Sequence, residues 1–143
     1  MSKIFLAALC LFSLSACNAQ PPTKADVAGK WTYDSRGDGD QNPKEVSSGQ
    51  IQFRGDGTFE ANNVSGIVLK INDPDTHDGK GIWSIRDRGN IVARFLERPA
   101  VTLTYEEHGI PYDARYSEYH DEKLLTFSRD EEAGEWVKYK KAK

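Results

Sequence analysis

The sequence predicts an all-β domain, a single antiparallel β-barrel of about eight to ten short strands that follows a cleaved signal peptide. From residue 29 onward, short runs alternate apolar and polar residues, and clusters of Gly, Asp and Asn separate the runs. No window keeps the 3.6-residue apolar period of a helix over a helical length. Because so many short strands must protect their edges, and closure removes edges completely, we expect a barrel.

The first 16 residues are predicted to be a secretory leader. Lys3 supplies a positive charge, and the apolar run 4–14 has the length of a signal-peptide core and is too short to cross a bilayer as a helix. The segment 14–17, Leu-Ser-Ala-Cys, resembles the lipobox of bacterial lipoprotein precursors. That resemblance implies that Cys17 is acylated and becomes the new N-terminus.

A lipid on Cys17 has consequences for location. Two or three acyl chains hold a protein on a membrane stably, so the membrane is the first expected partner. Asn18 follows the cysteine, whereas inner-membrane retention in Gram-negative lipoproteins is associated with an aspartate there. The resemblance thus implies an envelope lipoprotein, on the outer membrane and facing the periplasm if the host is Gram-negative.

Composition bounds the remainder of the chain. Loss of residues 1–16 leaves 127 residues, the size of one domain, with a net charge of −4 that argues against nucleic acid as a partner. Residues 17–28 contain Pro21-Pro22 and no apolar period, which predicts a flexible linker able to reach roughly 35 Å. The barrel domain is therefore expected at 29–143.

Alternation and turn residues support the eight to ten strands in order along the chain. Apolar residues alternate around Trp31, Ile51, Trp83 and Leu103. Further candidate strands are 57–62, 67–71, 90–97, 111–119, 123–129 and 135–140. Asp56-Gly57 predicts a hairpin with a type I′ turn, and 87–90 predicts another turn.

Three short motifs suggest a family. Gly29-Lys30-Trp31 resembles the G-x-W signature of lipocalin and calycin barrels, and F-x-x-D-G-T-F at 53–59 and G-x-W-x-I at 81–85 are similar to lipocalin-like domains of bacterial lipoproteins. The resemblance implies that Gly29 and Trp31 form a structural cap at one barrel end. It also implies a basic side chain across the tryptophan, for which the candidates are Arg129, Lys138 and Lys140.

Residues 105–120 are the most polar-aromatic part of the chain. On a strand, Tyr112 and Tyr116 share one face, and Tyr105 lies on the strand before. With Trp83, these tyrosines are the candidate ligand-binding residues, because tyrosine and tryptophan combine apolar area with a polar tip. The alternative is a half-exposed strand stabilised by cross-strand aromatic pairs.

Chemistry that needs a catalytic motif has no support in the sequence. The acidic loops 36–42 and 73–79 lack the glycine and closing glutamate of a calcium loop, so no metal is predicted. There is no G-x-S-x-G, the domain after Cys17 has no cysteine, and the histidines lack metal-ligand spacing. We therefore expect no catalytic residues and no cofactor, and a protein that is not an enzyme.

Two functions remain after these exclusions. The first is a lipocalin-like domain that binds a small apolar or amphipathic ligand inside the barrel. The alternative is a filled barrel that acts as an envelope protein–protein interaction module, such as an inhibitor, an immunity factor or an assembly factor. A large internal cavity favours the first, and an interior filled by side chains favours the second.

Overall fold

The computed structural model describes residues 21–36, 49–86, 99–130, 132 and 134–143. The predicted leader, Cys17 and the strand and turn predicted within 87–97 lie outside these ranges. The elements in chain order are α1 (Lys24–Val27), β1 (Gly29–Tyr33), β2 (Gln50–Phe53), β3 (Thr58–Ser65), α2 (Gly66–Leu69), β4 (Thr76–Ile85), β5 (Ala100–Tyr105), β6 (Pro111–Tyr119), β7 (Glu122–Asp130) and β8 (Glu135–Lys141).

The eight described strands close into one antiparallel barrel, which confirms the predicted fold class. Each strand pairs with the next along the chain, and β1 pairs with both β2 and β8. Trp31 lies opposite Ile51 on one side and Lys141 on the other. The first and last strands therefore complete the hydrogen-bonded circle and leave no open edge between them.

Large side chains fill the barrel interior. Trp31 is fully buried, and its ring centroid lies 6.3 Å from that of Phe53, which in turn lies 5.5 Å from Trp83. Phe127 and Tyr139 pack edge to face at 5.7 Å farther along the axis. Eight-stranded barrels are just wide enough for side chains to fill, and this interior is packed by aromatic rings.

A one-turn helix covers the end of the barrel where β1 begins, which we call the α1 end. The prediction of an unstructured linker up to residue 28 is corrected here: Thr23 and Asp26 form a capping box, and Val27 is fully buried. The Trp31 indole N–H donates to the Val27 carbonyl oxygen at 2.7 Å. The packed domain thus begins six residues before the expected boundary at Gly29.

The opposite end, which we call the α2 end, is covered by a second one-turn helix where a strand over 67–71 was expected. That prediction is wrong, because Ile67, Val68 and Leu69 are all buried and cover this end of the barrel instead of alternating across a sheet. Gly66 permits the tight turn, since a Cβ there would lie 2.5 Å from the carbonyl oxygen of Ile71. Three consecutive apolar residues satisfy a strand pattern and a buried helical turn equally well.

Two hairpin turns at the α1 end differ from expectation. At 54–57 only Gly57 has a positive φ, 87°, so the predicted hairpin is present without the type I′ turn, which needs positive φ at two successive residues. At the β6–β7 hairpin, His120 and Asp121 have φ of 47° and 64°, the combination that a type I′ turn requires. The turn was missed there because neither residue is glycine.

The described helices each contain four residues, too few to cross a membrane.

Candidate functional site

The four predicted ligand-binding residues are divided between the two ends of the barrel. Trp83 lies at the α1 end, where its indole N–H donates to the Arg54 carbonyl oxygen at 2.9 Å. Tyr116 also lies toward that end, close enough to Asp26 for its phenol to be influenced by that carboxylate. Tyr105 and Tyr112 lie toward the α2 end. These four residues therefore do not line a single interior pocket.

The α1 end is a closed polar and aromatic cap. Gly29 has φ of +128°, and a Cβ on it would lie 3.1 Å from the Lys141 side chain. Lys141 donates from Nζ to the carbonyl oxygens of Ala25 and Asp26 at 2.8 and 2.9 Å, and so ties the last strand to α1. The basic residue at this cap is therefore Lys141 and not one of the three candidates.

The other basic candidates lie elsewhere. Arg129 donates from Nη2 to the Ile71 carbonyl oxygen at 2.9 Å, beside α2. In the β7–β8 pairing, Lys138 lies opposite Thr126 and Lys140 lies opposite Leu124. Alternation along β8, on which Val137 and Tyr139 are buried, places both lysines on the outer face. Because neighbouring residues of a strand face opposite sides of the sheet, Lys141 reaches the cap and Lys140 does not.

An ion pair missed from the sequence strengthens the α1 end. Asp26 accepts from Lys123 Nζ at 2.5 Å and from the backbone N–H and hydroxyl of Thr23, both at 2.7 Å. These hydrogen bonds, that from Lys123 above all, hold the pKa of Asp26 well below its usual range. The T-x-x-D spacing at 23–26 is a capping signal that the sequence offers, but the partner 97 residues away is visible only in the fold.

At the α2 end, the phenol of Tyr112 is buried in an unusual way. Its hydroxyl has no hydrogen-bond partner among the described residues, and burial raises the pKa of Tyr112 above its ordinary value. Lys70, at the end of α2, places its ammonium 5.5 Å from the Tyr112 ring centroid. A buried hydroxyl without a partner is destabilising by about 1–3 kcal/mol. A bound molecule with a polar group could therefore form a favourable hydrogen bond with it.

His108 fastens α2 to the barrel. Its Nε2 donates to the Leu69 carbonyl oxygen at 2.8 Å, and its Nδ1 accepts from the backbone N–H of Ile110 at 3.0 Å. These two bonds require the tautomer that carries its proton on Nε2. Tyr105, whose ring lies 5.2 Å from that of His108, completes the contact. No sequence signal connected this histidine with residue 69.

A surface cleft of about 610 Å³ opens on the outside of β3, β4 and β5 near the α2 end. A bulge in β3 shapes it: Asn63 has φ of 53°, and its backbone N–H donates to Asp78 Oδ1 at 2.7 Å. At Gly79, a Cβ would lie 2.7 Å from the side chains of Leu69 and Tyr105, which already occupy that position. The charged residues that line the cleft are Glu60, Asp78, Lys80, Glu106 and Glu107.

The cleft is acidic, and each of its four carboxylates already has a partner, which for Glu60 is Arg54 Nη2 at 2.7 Å. Glu107 accepts from the Tyr105 hydroxyl at 2.5 Å, which raises the pKa of that phenol. Lys80 lies 3.4 Å from Glu106 and offsets one negative charge. Within the described ranges, no group of three or more His, Cys, Asp or Glu side chains is placed to hold a metal ion. The cleft therefore presents fixed carboxylates and a net negative charge to whatever enters it.

Comparison with known proteins adds nothing to this description, because no family model, no curated protein and no solved structure matches the chain.

Proposed function

We propose that this protein is a lipid-anchored envelope protein whose filled barrel serves as a non-catalytic protein–protein interaction module. The observation that carries the proposal is the interior: aromatic and aliphatic side chains occupy it, and α1 and α2 cover its two ends with buried residues. A lipocalin-like barrel built to hold an apolar ligand keeps a cavity open at one end. A packed barrel instead presents a rigid outer surface.

The anchor rests on the leader and on Cys17. Cys17→Ala removes the only thiol that remains after residues 1–16 are cleaved, so we expect the variant to lose all incorporation of a palmitate analogue and to be absent from membrane fractions. Intact-mass measurement of the membrane-extracted wild type should give residues 17–143 plus acyl chains. Equal labelling of the variant and the wild type would refute the anchor.

The acidic cleft is the partner surface that the geometry favours. Its carboxylates suit a basic segment of a partner protein, and two exposed apolar residues flank it: Ile82 is 61% exposed on β4 and Ile110 is 62% exposed in the loop before β6. Register places Ile82 next to Thr104, and Thr104 next to Pro111. Apolar residues beside a charged recess are typical of interaction surfaces.

Site-specific photocrosslinking in cells tests this surface. A photoreactive residue in place of Ile82 should give a discrete crosslinked species, and the same residue in place of Ser117, on the outer face of β6, is the matched control. Glu106→Gln with Glu107→Gln should weaken the Ile82 crosslink, because the charge of the cleft is reduced. Equal crosslinking from both positions, or none from Ile82, would contradict the assignment.

A second function is favoured by one observation, the Tyr112 hydroxyl beneath α2. A small polar or amphipathic ligand that enters when α2 moves would supply the missing hydrogen bond. Native mass spectrometry of the protein purified without detergent distinguishes the two functions. A bound small molecule that is lost on Tyr112→Phe supports the ligand, and the bare mass supports the interaction module.

A further inference from the structure

The charges of the barrel are distributed unequally between its two ends. Around α1 and the ends of β1 and β8, lysines are exposed or half-buried. We call these residues the lysine surface, and they are Lys24, Lys30, Lys140 and Lys143. The α2 end instead carries the acidic cleft. The chain therefore has a basic region although its net charge is negative.

Backbone pairing brings the lysine surface together. Lys30 accepts through its carbonyl oxygen from the backbone N–H of Ala142, one residue before Lys143. Thr32, two residues beyond Lys30, lies opposite Lys140. Lys24 opens α1, the helix whose carbonyl oxygens bind Lys141. Lys30, Lys140 and Lys143 thus lie along the paired ends of the first and last strands, and Lys24 lies on the helix that covers this end of the barrel.

Two carboxylates at this end are already paired with cations, whereas Asp56 and Asp121, on the two hairpin turns, form no ion pair among the described residues. Asp26 is bound by Lys123, and Glu122 on the β6–β7 hairpin accepts from Arg36 at 2.9 Å. The pKa of Asp34 is lowered mainly by its hydrogen bonds with Arg36 and slightly by the nearby charge of Lys140. Among the described residues, Lys24, Lys30 and Lys143 form no ion pair. Their charges are available to an external anion.

The length of the chain before α1 limits how the barrel is oriented. Cys17 and the capping residue Thr23 are six residues apart, so at most about 3.6 Å per residue the chain between them reaches roughly 22 Å. The ten residues of β4 extend about 33 Å, which a strand tilt of about 40° reduces to roughly 25 Å along the barrel axis. The attachment is therefore no longer than the barrel is tall, and it favours an orientation with the α1 end toward the membrane.

We propose that the lysine surface lies against anionic phospholipid headgroups of the leaflet that holds the Cys17 acyl chains, so that the acidic cleft faces away from the membrane. This rests on the proposed acylation for its location in the cell, but its physical basis is separate. Each lysine near an anionic surface contributes roughly a fivefold preference. Phosphates attract the α1 end and repel the carboxylates of the α2 end, which fixes orientation as well as distance.

The experiment attaches the protein chemically at the same point. In the chain 17–143, Cys17 is the only cysteine, so its thiol can be coupled to a maleimide lipid in preformed vesicles. Acetylation of individual lysines is then followed by mass spectrometry, on vesicles that contain phosphatidylglycerol and on vesicles of phosphatidylcholine alone. Lys80, which lies in the acidic cleft and is 74% exposed, is the internal control.

We expect Lys24, Lys30 and Lys143 to be acetylated about fivefold more slowly on the anionic vesicles and to regain the faster rate at high salt. Lys80 should react equally on both lipids. Lys24→Gln combined with Lys30→Gln should abolish the protection of Lys143, whereas Lys→Arg at the same two positions should preserve it. Melting curves establish that each variant is folded. Equal rates on both lipids, or protection of Lys80 instead, would overturn the proposal.

Chemical coupling separates this test from that of the anchor. If palmitate labelling fails but the coupled protein shows lysine protection, the acylation is wrong and the lipid-facing surface stands. If acylation is found and the coupled protein shows no protection, the anchor stands and the lysine surface does not.

Discussion

The two ends of the barrel are closed by helices of the same length, yet they differ in how completely their polar groups are satisfied. At the α1 end, both indole N–H groups have backbone acceptors, from Trp31 to Val27 and from Trp83 to Arg54. At the α2 end, the Tyr112 hydroxyl is buried without a partner. Because buried unsatisfied groups lower stability, the comparison indicates that the α1 end stabilises the fold and that the α2 end is the easier one to open.

The backbone and the solvation of lysines do not separate the two ends. At the α2 end, Lys70 follows α2 with φ of 58°, a left-handed conformation that is unfavourable for a residue with a Cβ, and desolvation lowers the pKa of its ammonium. At the α1 end, His120 and Asp121 also have positive φ, and desolvation lowers the pKa of Lys141. The unsatisfied Tyr112 hydroxyl therefore carries the difference between the two ends.

The largest expected effect is at the α1 end. Trp31→Ala removes a fully buried ring and the hydrogen bond to Val27, so we expect a loss of about 3–5 kcal/mol in the free energy of unfolding. Thermal unfolding should shift down by more than about 10 °C. Trp136→Ala, at a half-buried position on β8, is the control and should lower stability by less than half as much. Equal losses would remove the special role of Trp31.

A smaller effect depends on pH. Asp26→Asn weakens the capping box and the ion pair with Lys123, which we expect to lower stability by about 1 kcal/mol at neutral pH. The folded pKa of Asp26 is lowered, so its stabilisation is complete above the unfolded pKa of about 4 and declines as pH falls toward the folded pKa. Denaturant unfolding at neutral and acidic pH should show the two proteins converging on acidification.

Asp75→Asn serves as the control for that measurement, because this aspartate is exposed in the loop before β4. It should leave stability unchanged within about 0.5 kcal/mol at each pH. A gap between Asp26→Asn and wild type that stays constant down to acidic pH would show that the carboxylate charge contributes nothing.

The third effect has the opposite sign. Tyr112→Phe deletes a buried hydroxyl that has no described partner, so we expect it to raise stability by up to about 1 kcal/mol. Tyr105→Phe, which removes a hydroxyl that donates to Glu107, should lower stability or leave it unchanged. Calorimetry of both variants compares them directly. Destabilisation by Tyr112→Phe would mean that the hydroxyl is bonded in solution and that the α2 end is as well satisfied as the α1 end.

Local patterns predicted most strands because alternation is a local property of a half-buried strand. The range 111–119 matches β6, and the alternation around Leu103 falls within β5. The same reasoning failed at 67–71, where a run of buried apolar residues carries no period that separates strand from helix. It also failed at His120-Asp121, because their positive φ values are imposed by the hairpin and not by glycine.

The candidate site was predicted less well, for a physical reason. Trp83 and Tyr105 are close in the β4–β5 register, because Trp83 lies opposite Leu103, two residues before Tyr105. Their side chains nevertheless make their hydrogen bonds at opposite ends of the barrel. The acidic cleft depends on a bulge in β3 and on the register that places Glu60 opposite Lys80 and Lys80 beside Glu106. Neither feature has a signature that composition or spacing reveals.

By itself, the sequence determined the all-strand domain, because alternation and turn residues act over a few neighbouring residues, and from an apolar run it predicts a leader with a lipobox-like cysteine. Tertiary structure alone decided that β1 meets β8, that α1 and α2 cover the two ends, and that the lysine surface and the acidic cleft lie near different ends. Those outcomes depend on contacts between residues far apart in the chain, such as Asp26 with Lys123 and Trp31 with Lys141. Only closure of the barrel brings such residues together.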